Sequence, residues 1–499
     1  MNGLVAAPML VPLVTAAVCT LLRRMAVLQR GFSLVGSAVE IGVALLLLVE
    51  VNSSDYLVSN MGNWQAPFGI TLVIDRLAAV MVLLTALTGA ASAWYSWISL
   101  PKSALSPAFH PLLHFLLMGV SGAFITGDLF NLYVCFEIML LSSFVMLVLE
   151  GKAEQTEGAV KYVVLNLMSS TIFLTALGLL YAKAGTLNMA DISILAQEAV
   201  AEHRAGPLRL GGLLFMVAFA IKAGMFPFFF WLPASYHTPS VPVSALFAGL
   251  LTKVGVFALI RLHTLIMPND VLGHEILLVL GVATMITGVL GAAGQMGIRR
   301  ILSFHIISQV GYMVVGIAIG TPLALAACVF YLCHHIVVKS NLFLVGGIAA
   351  DCAGSEDLRK TGGMWLAWPL LGLLYLVPAL SLSGIPPFSG FFAKLGIVSA
   401  GVERELWWVV AAALATGAFT LYSMFKIWIE AFWKDHPSSG FRLAPEQRSF
   451  VRLWPMLALA AITIAIGLMS GPLFHFCEEA ALQLLNPNGY IHAVLGGRL

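Results

Sequence analysis

A chain of 499 residues with 60% hydrophobic and only 10% charged side chains cannot present an ordinary water-facing surface, because about a quarter of an average soluble chain is Asp, Glu, Lys or Arg. A mean hydropathy of +0.94 argues against several soluble domains joined by polar linkers. A formal net charge of +2 leaves no general electrostatic footprint for nucleic acid.

Lipid is the solvent that suits this composition, and roughly 17 to 25 apolar residues cross a bilayer. In chain order, windows of that length begin near Leu4, Phe32, Ile70, Pro111, Leu129, Ala159, Gly211, Val241, Glu275, Ile301, Leu323, Leu366, Leu406 and Leu453. An all-α, polytopic membrane fold of about fourteen transmembrane helices is therefore predicted. The first window has no basic segment before it and is followed by Arg23 and Arg24, so it reads as a retained helix and not a signal peptide.

Orientation follows from the distribution of basic residues. With the N-terminus outside, the inner loops carry Arg23, Arg24, Arg30, Lys102, Lys152, Arg299, Arg300, Arg359, Lys360, Lys434, Arg442, Arg448 and Arg452. The outer loops and tail then hold only Arg204, Arg209, Arg404 and Arg498. Trp94, Trp97, Trp407 and Trp408 fit an interfacial aromatic belt.

Two windows are interrupted alike. The seventh runs KAGMFPFFFWLP from Lys222 to Pro233, and the twelfth runs LSGIPPFSGFFAK from Leu382 to Lys394. Proline removes a backbone donor and frees a carbonyl one turn upstream. Such breaks are tolerated in lipid only where protein or a watered cavity satisfies the freed groups. Matching broken helices in the two halves of a transporter point to repeats and a central ion site. The plain alternative is a pair of ordinary proline kinks, but a lysine accompanies each break.

Ionisable residues within apolar windows are costly and call for a reason. Glu137 lies deep in the fifth window, Lys222 in the seventh, Lys253 in the eighth, and Lys394 beyond the second break. In the eleventh, YLCHHIVVKSNLF sets His335 and Lys339 four apart on one face, while His334 points elsewhere as a packing or hydrogen-bonding residue. An imidazole with an unperturbed pKa of about 6.5 suits a proton shuttle. His305 shares a face with Gln309 in the tenth, either bridging the two halves or sitting as a satisfied buried histidine. Static pairing of helices is the rival explanation for each residue alone; a set spread over five helices favours charge relay.

Weaker positions have local readings. Lys161 snorkels to the inner surface, Asp75 pairs with Arg76, Asp128 is interfacial, and Lys426 pairs with Glu430 four residues on. The six scattered cysteines show no metal or disulfide spacing. No P-loop, dinucleotide fingerprint or haem motif is visible, so no cofactor or metal is expected and redox chemistry within the chain is not predicted.

The string KAGMFPFFFWLPASYHTPSVPVSALFAGLLTKVGVFALIR, with GDLFNLYVCFEIMLLSSFVMLVLEG, RRILSFHIISQVGYM, HHIVVKSNLFLVGG and SLSGIPPFSGFFAKLGIVSAG, resembles the antiporter-like subunits shared by respiratory complex I and Mrp-type multisubunit Na⁺/H⁺ antiporters. The likeness runs from about residue 70 to 430, and wording and length sit nearest the D-type Mrp subunits. One complex I relative carries Glu where this chain has Lys394, and some relatives carry His at Gln309. The resemblance implies two inverted five-helix repeats, helices four to eight over 106–270 and nine to thirteen over 271–435. Helices one to three fill 1–105, and helix fourteen with the tail fills 436–499. It implies an ion-pair module at Glu137 and Lys222, a central Lys253, a relay at His335 and Lys339, and an outlet at Lys394. The function implied is proton translocation coupled to Na⁺ exchange in the cell membrane, beside partner subunits of the A, B, C, E, F and G types. The runner-up is a redox-driven proton-pumping subunit of complex I or of a membrane hydrogenase; a passive helical scaffold comes third.

Overall fold

The computed structural model describes residues 2–99, 106–201, 206–268, 270–438, 441, 443–444 and 448–496. Lys102, Arg204, Arg442 and Arg498, used above to orient the chain, lie outside the described residues.

The first three windows become α1 (Asn2–Leu21), α2 (Ala26–Ser54) and α3 (Arg76–Ser99). Between α2 and α3 lies an antiparallel hairpin, β1 (Leu57–Asn60) and β2 (Thr71–Ile74), pairing Leu57 with Ile74 and Asn60 with Thr71. The third window, expected to start as helix near Ile70, begins differently. Its first residues read Thr-Leu-Val-Ile, β-branched at three of four places, and form a fully buried strand. Helix begins only after Asp75, whose carboxylate accepts the Ala78 N–H at 2.8 Å as an N-cap.

Next come α4 (Phe109–Ile125), α5 (Leu129–Leu147) and α6 (Ala153–Ala184), followed by α7 (Met189–Ala201), which no apolar window announced. The seventh window is broken as predicted. Its first half is α8 (Gly206–Ala223), then a short α9 (Trp231–Ser235) leads to α10 (Val241–Arg261), which winds on as a π-turn to Ile266. In the other half stand α11 (Val271–Gly294), α12 (Ile298–Ile319) and α13 (Pro322–Ala353). A short α14 (Met364–Ala367) precedes the second broken helix, α15 (Pro369–Ser383) and α16 (Ser389–Glu403). Last are α17 (Trp407–Ile427), α18 (Trp454–Leu468), α19 (Ser470–Leu484) and α20 (Pro487–Leu495). Gly224 and Gly384, with φ of +71° and +85°, end the first half of each broken helix in a left-handed turn that a Cβ would strain.

Eleven of the described helices are long and apolar enough to cross a membrane, and Phe109–Ile125 and Pro369–Ser383 are shorter apolar helices. Eleven falls three short of the fourteen windows because the seventh and twelfth are cut into halves and the fourth, Phe109–Ile125, is only 17 residues long. Burial sorts these helices sharply. The window on α10 is buried throughout, and those on α12 and α13 are 94% buried, against 33% for α1, α2 and α17. A helix apolar on every side belongs in an interior, so α10, α12 and α13 form the axis of the molecule. Two isolated antiparallel bridges, Asp128 to Asn188 and Gly297 to Asp357, each tie the residue before a helix to a point sixty positions later. The six cysteines are buried and unpaired.

Candidate functional site

Two of the buried lysines, Lys253 and Lys339, lie on the most enclosed helices, and Lys222 and Lys394 flank the two helix breaks. At one end Glu137, half-buried on α5, accepts a short hydrogen bond from the Ser170 hydroxyl on α6. The Lys222 ammonium, in the last turn of α8, donates to the same hydroxyl at 3.5 Å. The expected Glu137–Lys222 module is thus a carboxylate and an ammonium joined through Ser170. Lys222 also stands 5.5 Å from the centre of the Phe136 ring, a favourable place for a cation.

The next lysine is brought close by a glycine. A Cβ on Gly255 of α10 would lie 2.5 Å from the Ala223 nitrogen and 2.9 Å from the Lys222 carbonyl carbon, so only glycine lets α10 meet the broken end of α8. Lys253, two residues earlier, is wholly buried and donates a short bond to the Ala248 carbonyl of its own helix. Lys339 on α13, equally buried, donates to the Leu302 carbonyl of α12 at 3.0 Å. One turn away, His335 lies in the combined field of Lys253, Lys339, His334 and His305. Both of its ring nitrogens are buried without a hydrogen-bond partner.

From there polar groups run toward the second break. Gln309 accepts a short bond from the Tyr331 hydroxyl and donates to Ser308 at 2.9 Å. His305 Nδ1 is 3.5 Å from the same Ser308 hydroxyl, and its Nε2 is unpartnered. The Tyr331 ring lies 5.7 Å from His334 and 6.4 Å from His335, and it stacks on Tyr312 at 5.4 Å. Lys394 on α16 places its ammonium 5.4 Å from the centre of the Tyr312 ring. Its ammonium donates to the Ser383 carbonyl at 3.1 Å, the last residue of α15, where the helix dipole is negative. His334, read from sequence as a hydrogen-bonding residue, bonds Ser389 at 2.8 Å, and Ser389 bonds Ser381 at 2.9 Å, lashing α13 to both halves of the broken helix.

The seven expected positions therefore converge on one interior, through partners that nothing in the sequence singled out: Ser170, Tyr331, Tyr312, Ser381 and Ser389. A serine or tyrosine in an apolar helix is ordinary; only the tertiary structure shows which ionisable group it meets.

Two local pairings came out differently. Asp75 binds not Arg76 but Arg261 of α10, at 2.6 Å, with both side chains buried. Arg76, itself largely buried, pairs instead with Asp55 at 2.5 Å and Glu479 at 3.3 Å. Lys426 does not pair directly with Glu430. Its ammonium closes the end of α11, donating to the carbonyls of Ala293 at 2.8 Å and Gln295 at 2.7 Å, while Glu430 binds Lys434. In both cases a long side chain reaches unsatisfied backbone or a buried carboxylate in preference to a solvated neighbour. Lys161 pairs with Glu157 at 2.5 Å on an exposed face, and Asp128 caps α5 through Asn131 N–H at 2.8 Å.

A polar cavity of about 490 Å³, lined by His237, Gln295, Arg300, Glu356, Asp357 and Arg359 among others, opens where the α9–α10 loop meets the α11–α12 turn. Arg300 Nε donates to His237 Nε2 at 3.2 Å, and His237 Nδ1 faces the Pro233 carbonyl at 2.9 Å. Burial, with Arg300 and Arg299 alongside, lowers the His237 pKa to about 4. Among the described residues no group of three or more His, Cys, Asp or Glu is placed to hold a metal ion.

Residues 126–420 match the family described as NADH:quinone oxidoreductase/Mrp antiporter, transmembrane. The chain is 42% identical to the D-type subunit of the Na⁺/H⁺ antiporter of Alkalihalophilus pseudofirmus, over 99% of this chain and all of that one. It is 36% identical to the corresponding subunit of Bacillus subtilis, over 99% of this chain and all of that one. Among solved structures it superposes on a chain of the Mrp complex from Dietzia with a TM-score of 0.91 at 30% identity, covering 99% of each. It superposes on a chain of the membrane-bound sulfane sulfur reductase, an archaeal respiratory membrane complex, with a TM-score of 0.90 at 25% identity, covering 98% of this chain and 99% of that one.

Proposed function

The chain belongs to the NADH:quinone oxidoreductase/Mrp antiporter transmembrane family, and from that premise we propose that it is the proton-translocating D-type subunit of a multisubunit Na⁺/H⁺ antiporter. One observation carries this reading: the buried ammonium groups rest on neutral acceptors. Lys222 donates to a hydroxyl, and Lys253, Lys339 and Lys394 donate to backbone carbonyls. A scaffold built from static charge pairs would place carboxylates there, since an uncompensated buried charge costs several kcal/mol. An amine on a neutral acceptor can instead release its proton and keep its place.

The steps follow from that arrangement. While Ser170 links Glu137 to Lys222, the carboxylate stabilises a proton on Lys222. When Glu137 swings away, the ammonium loses its compensating charge and the proton passes to Lys253. Simultaneous charging of Lys253 and Lys339 is opposed by like-charge repulsion in a low-dielectric interior, so arrival at one drives departure from the other. His335, with both nitrogens unengaged, carries the proton between them, and His305, Tyr331 and Gln309 lead on to Lys394. Water bridges the intervals that exceed hydrogen-bond length.

Two inverted repeats, over 106–270 and 271–435, fit this path. Both bridges tie the start of the second helix of a repeat to the segment after its third: Asp128 before α5 to Asn188, and Gly297 before α12 to Asp357. By the basic-residue count the first lies outside and the second inside, as inversion requires. The cavity beside His237 then forms an inner mouth. The N-terminus outside, residence in the cell membrane, the six partner subunits and the lack of an enzymatic reaction in this chain all follow from the same reading. Lysine-lined passages suit protons, so Na⁺, which wants oxygen ligands, crosses elsewhere in the complex.

A redox-driven reading is supported by the match to the archaeal respiratory complex, and its physics inside this chain is the same. The full-length 42% identity to an antiporter subunit favours cation-driven exchange. The test is Na⁺-dependent dissipation of ΔpH in vesicles holding the whole complex. Lys222→Ala and Glu137→Ala should abolish it with assembly intact; normal exchange by either assembled variant would reject this site.

A further inference from the structure

Away from the lysine row, the N-terminal helices hold a second buried polar stripe. On α2 it runs through Ser33, Ser37 and Glu40, and on α4 through His110, His114 and Ser121; each set shares one helix face. The Ser33 hydroxyl joins the two helices, 2.9 Å from His110 Nδ1 and 2.8 Å from His114 Nε2. All six are essentially inaccessible.

Beyond Ser33 the polar atoms have no partners. Both carboxyl oxygens of Glu40 are buried without a hydrogen bond, as are the hydroxyls of Ser37 and Ser121 and that of Ser92 on the adjacent α3. Among the described residues no ion pair involves Glu40, and both of its oxygens are buried. An ionised carboxylate there would cost several kcal/mol, so Glu40 rests as the neutral acid with a transferable proton. Buried polar groups in native proteins are nearly always satisfied, and an unpaired row on three packed helices calls for a function.

The stripe has two ends. One lies at the α1–α2 turn, where Gln29 donates to the Cys19 and Pro107 carbonyls at 2.8 Å each and Arg30 donates to Trp97 O at 3.4 Å, beside Arg23 and Arg24. The other lies against α3, which packs on both α2 and α10. The Thr88 methyl lies so close to α10 that a Cβ on Gly249 would stand 3.1 Å from it. Gly249 adjoins Ala248, whose carbonyl holds Lys253.

We propose that this stripe is a proton-loading branch, with Glu40 its storage group, feeding Lys253 from the membrane face marked by Arg23 and Arg24. From the resting acid the Glu40 O–H proton moves first, by exchange along the α3 hydroxyls, to the neutral Lys253 amine. Once Glu40 has given up its proton, one arriving on His110 or His114 passes through the Ser33 side and reloads the Glu40 carboxylate. One proton enters for each that leaves, and every relay group is restored. This branch rests on the lysine-row reading above.

The test uses the whole complex in vesicles, with Glu40→Leu, Glu40→Gln and Lys222→Ala in parallel. Glu40→Leu replaces an unsatisfied group by an apolar one of similar size, so assembly should hold, while Na⁺-driven proton exchange falls at least about tenfold. A hydrophobic carbodiimide, which reacts with protonated carboxyls, should label wild-type Glu40 and inhibit exchange; Glu40→Gln should lose that label. Full exchange by both Glu40 variants with none by Lys222→Ala overturns the branch and leaves the row standing. Full exchange by Lys222→Ala removes the row as well. Should Glu40→Leu fail to assemble, carbodiimide on the wild-type complex decides: no label at Glu40, or a label without inhibition, overturns the branch.

Discussion

Two buried charged regions lie on α10 less than three turns apart, and they are built on opposite plans. Near its end, Arg261 meets the Asp75 carboxylate at 2.6 Å, lies 5.0 Å and 5.7 Å from the Phe257 and Tyr490 rings, and joins α10 to the start of α3. At mid-helix, the hydrogen bond of Lys253 among the described residues goes to the Ala248 carbonyl of its own helix. The first is a bidentate-capable cation that never deprotonates, matched to a fixed anion. The second is an amine that can be neutral, surrounded by other amines and an imidazole. The fixed charge has a counter-ion; the charge proposed to move has an acceptor that loses little when it leaves.

Mutation can break or sharpen that contrast. The largest effect is expected at Lys253: Lys253→Ala should cut proton exchange by about 10²- to 10⁴-fold, with complex assembly unchanged on a native gel. Loss of assembly with normal exchange per assembled complex would place Lys253 in the same class as Arg261. Next is Arg261→Ala, which strands Asp75 and should destabilise the subunit by about 3 to 5 kcal/mol, read as a lower melting temperature, with transport per folded complex preserved. Replacing the pair together, Asp75→Leu with Arg261→Met, should recover most of that loss; no apolar swap should rescue Lys253. A smaller effect is expected at Ser170, where Ser170→Ala should lower exchange about tenfold by cutting the link between Glu137 and Lys222. Unchanged exchange would mean that the two groups communicate without the hydroxyl.

The smallest effect concerns His237, outside the membrane-spanning helices. Its pKa of about 4 in the folded chain lies below the unfolded value of about 6.5. The unfolded chain therefore binds the extra proton first, and His237's contribution to stability is complete above about pH 6.5 and lost as pH falls toward 4. The melting temperature should drop over that window, and His237→Gln should flatten the drop. Arg300→Ala should narrow the window by letting the folded-state pKa rise.

Much of the lysine row was legible in the chain itself. Lys222, Lys253 and Lys339 are each the sole charge in a long apolar run, and the cost of burying an amine makes such a residue visible without coordinates. Both helix breaks were legible for the same kind of reason, since a proline inside an apolar helix removes a backbone donor wherever it stands. Glu40 carried the same signal but sat in a window with Glu50 and Arg30 near its ends, where a charged residue draws less notice. Ser170, Tyr331 and Tyr312 carried no signal at all, because a hydroxyl in an apolar helix is commonly satisfied by its own backbone. The partner of Asp75 could not be read either. Arg76 stands next to it in sequence, yet Arg261, far along the chain, is next to it in space.

The chain by itself determined its solvent, its helical class, the places where two helices stop, and which charges are too costly to be accidental. Each follows from local covalent chemistry and from transfer between water and lipid, and these act residue by residue. Only the tertiary structure decided which acceptor each charge meets: Ser170 between Glu137 and Lys222, a carbonyl beneath Lys253, a carboxylate opposite Arg261. Those choices depend on how closely helices approach, as Gly255 allows for α8 and α10, and side-chain reach across a helix contact is not encoded in any single window.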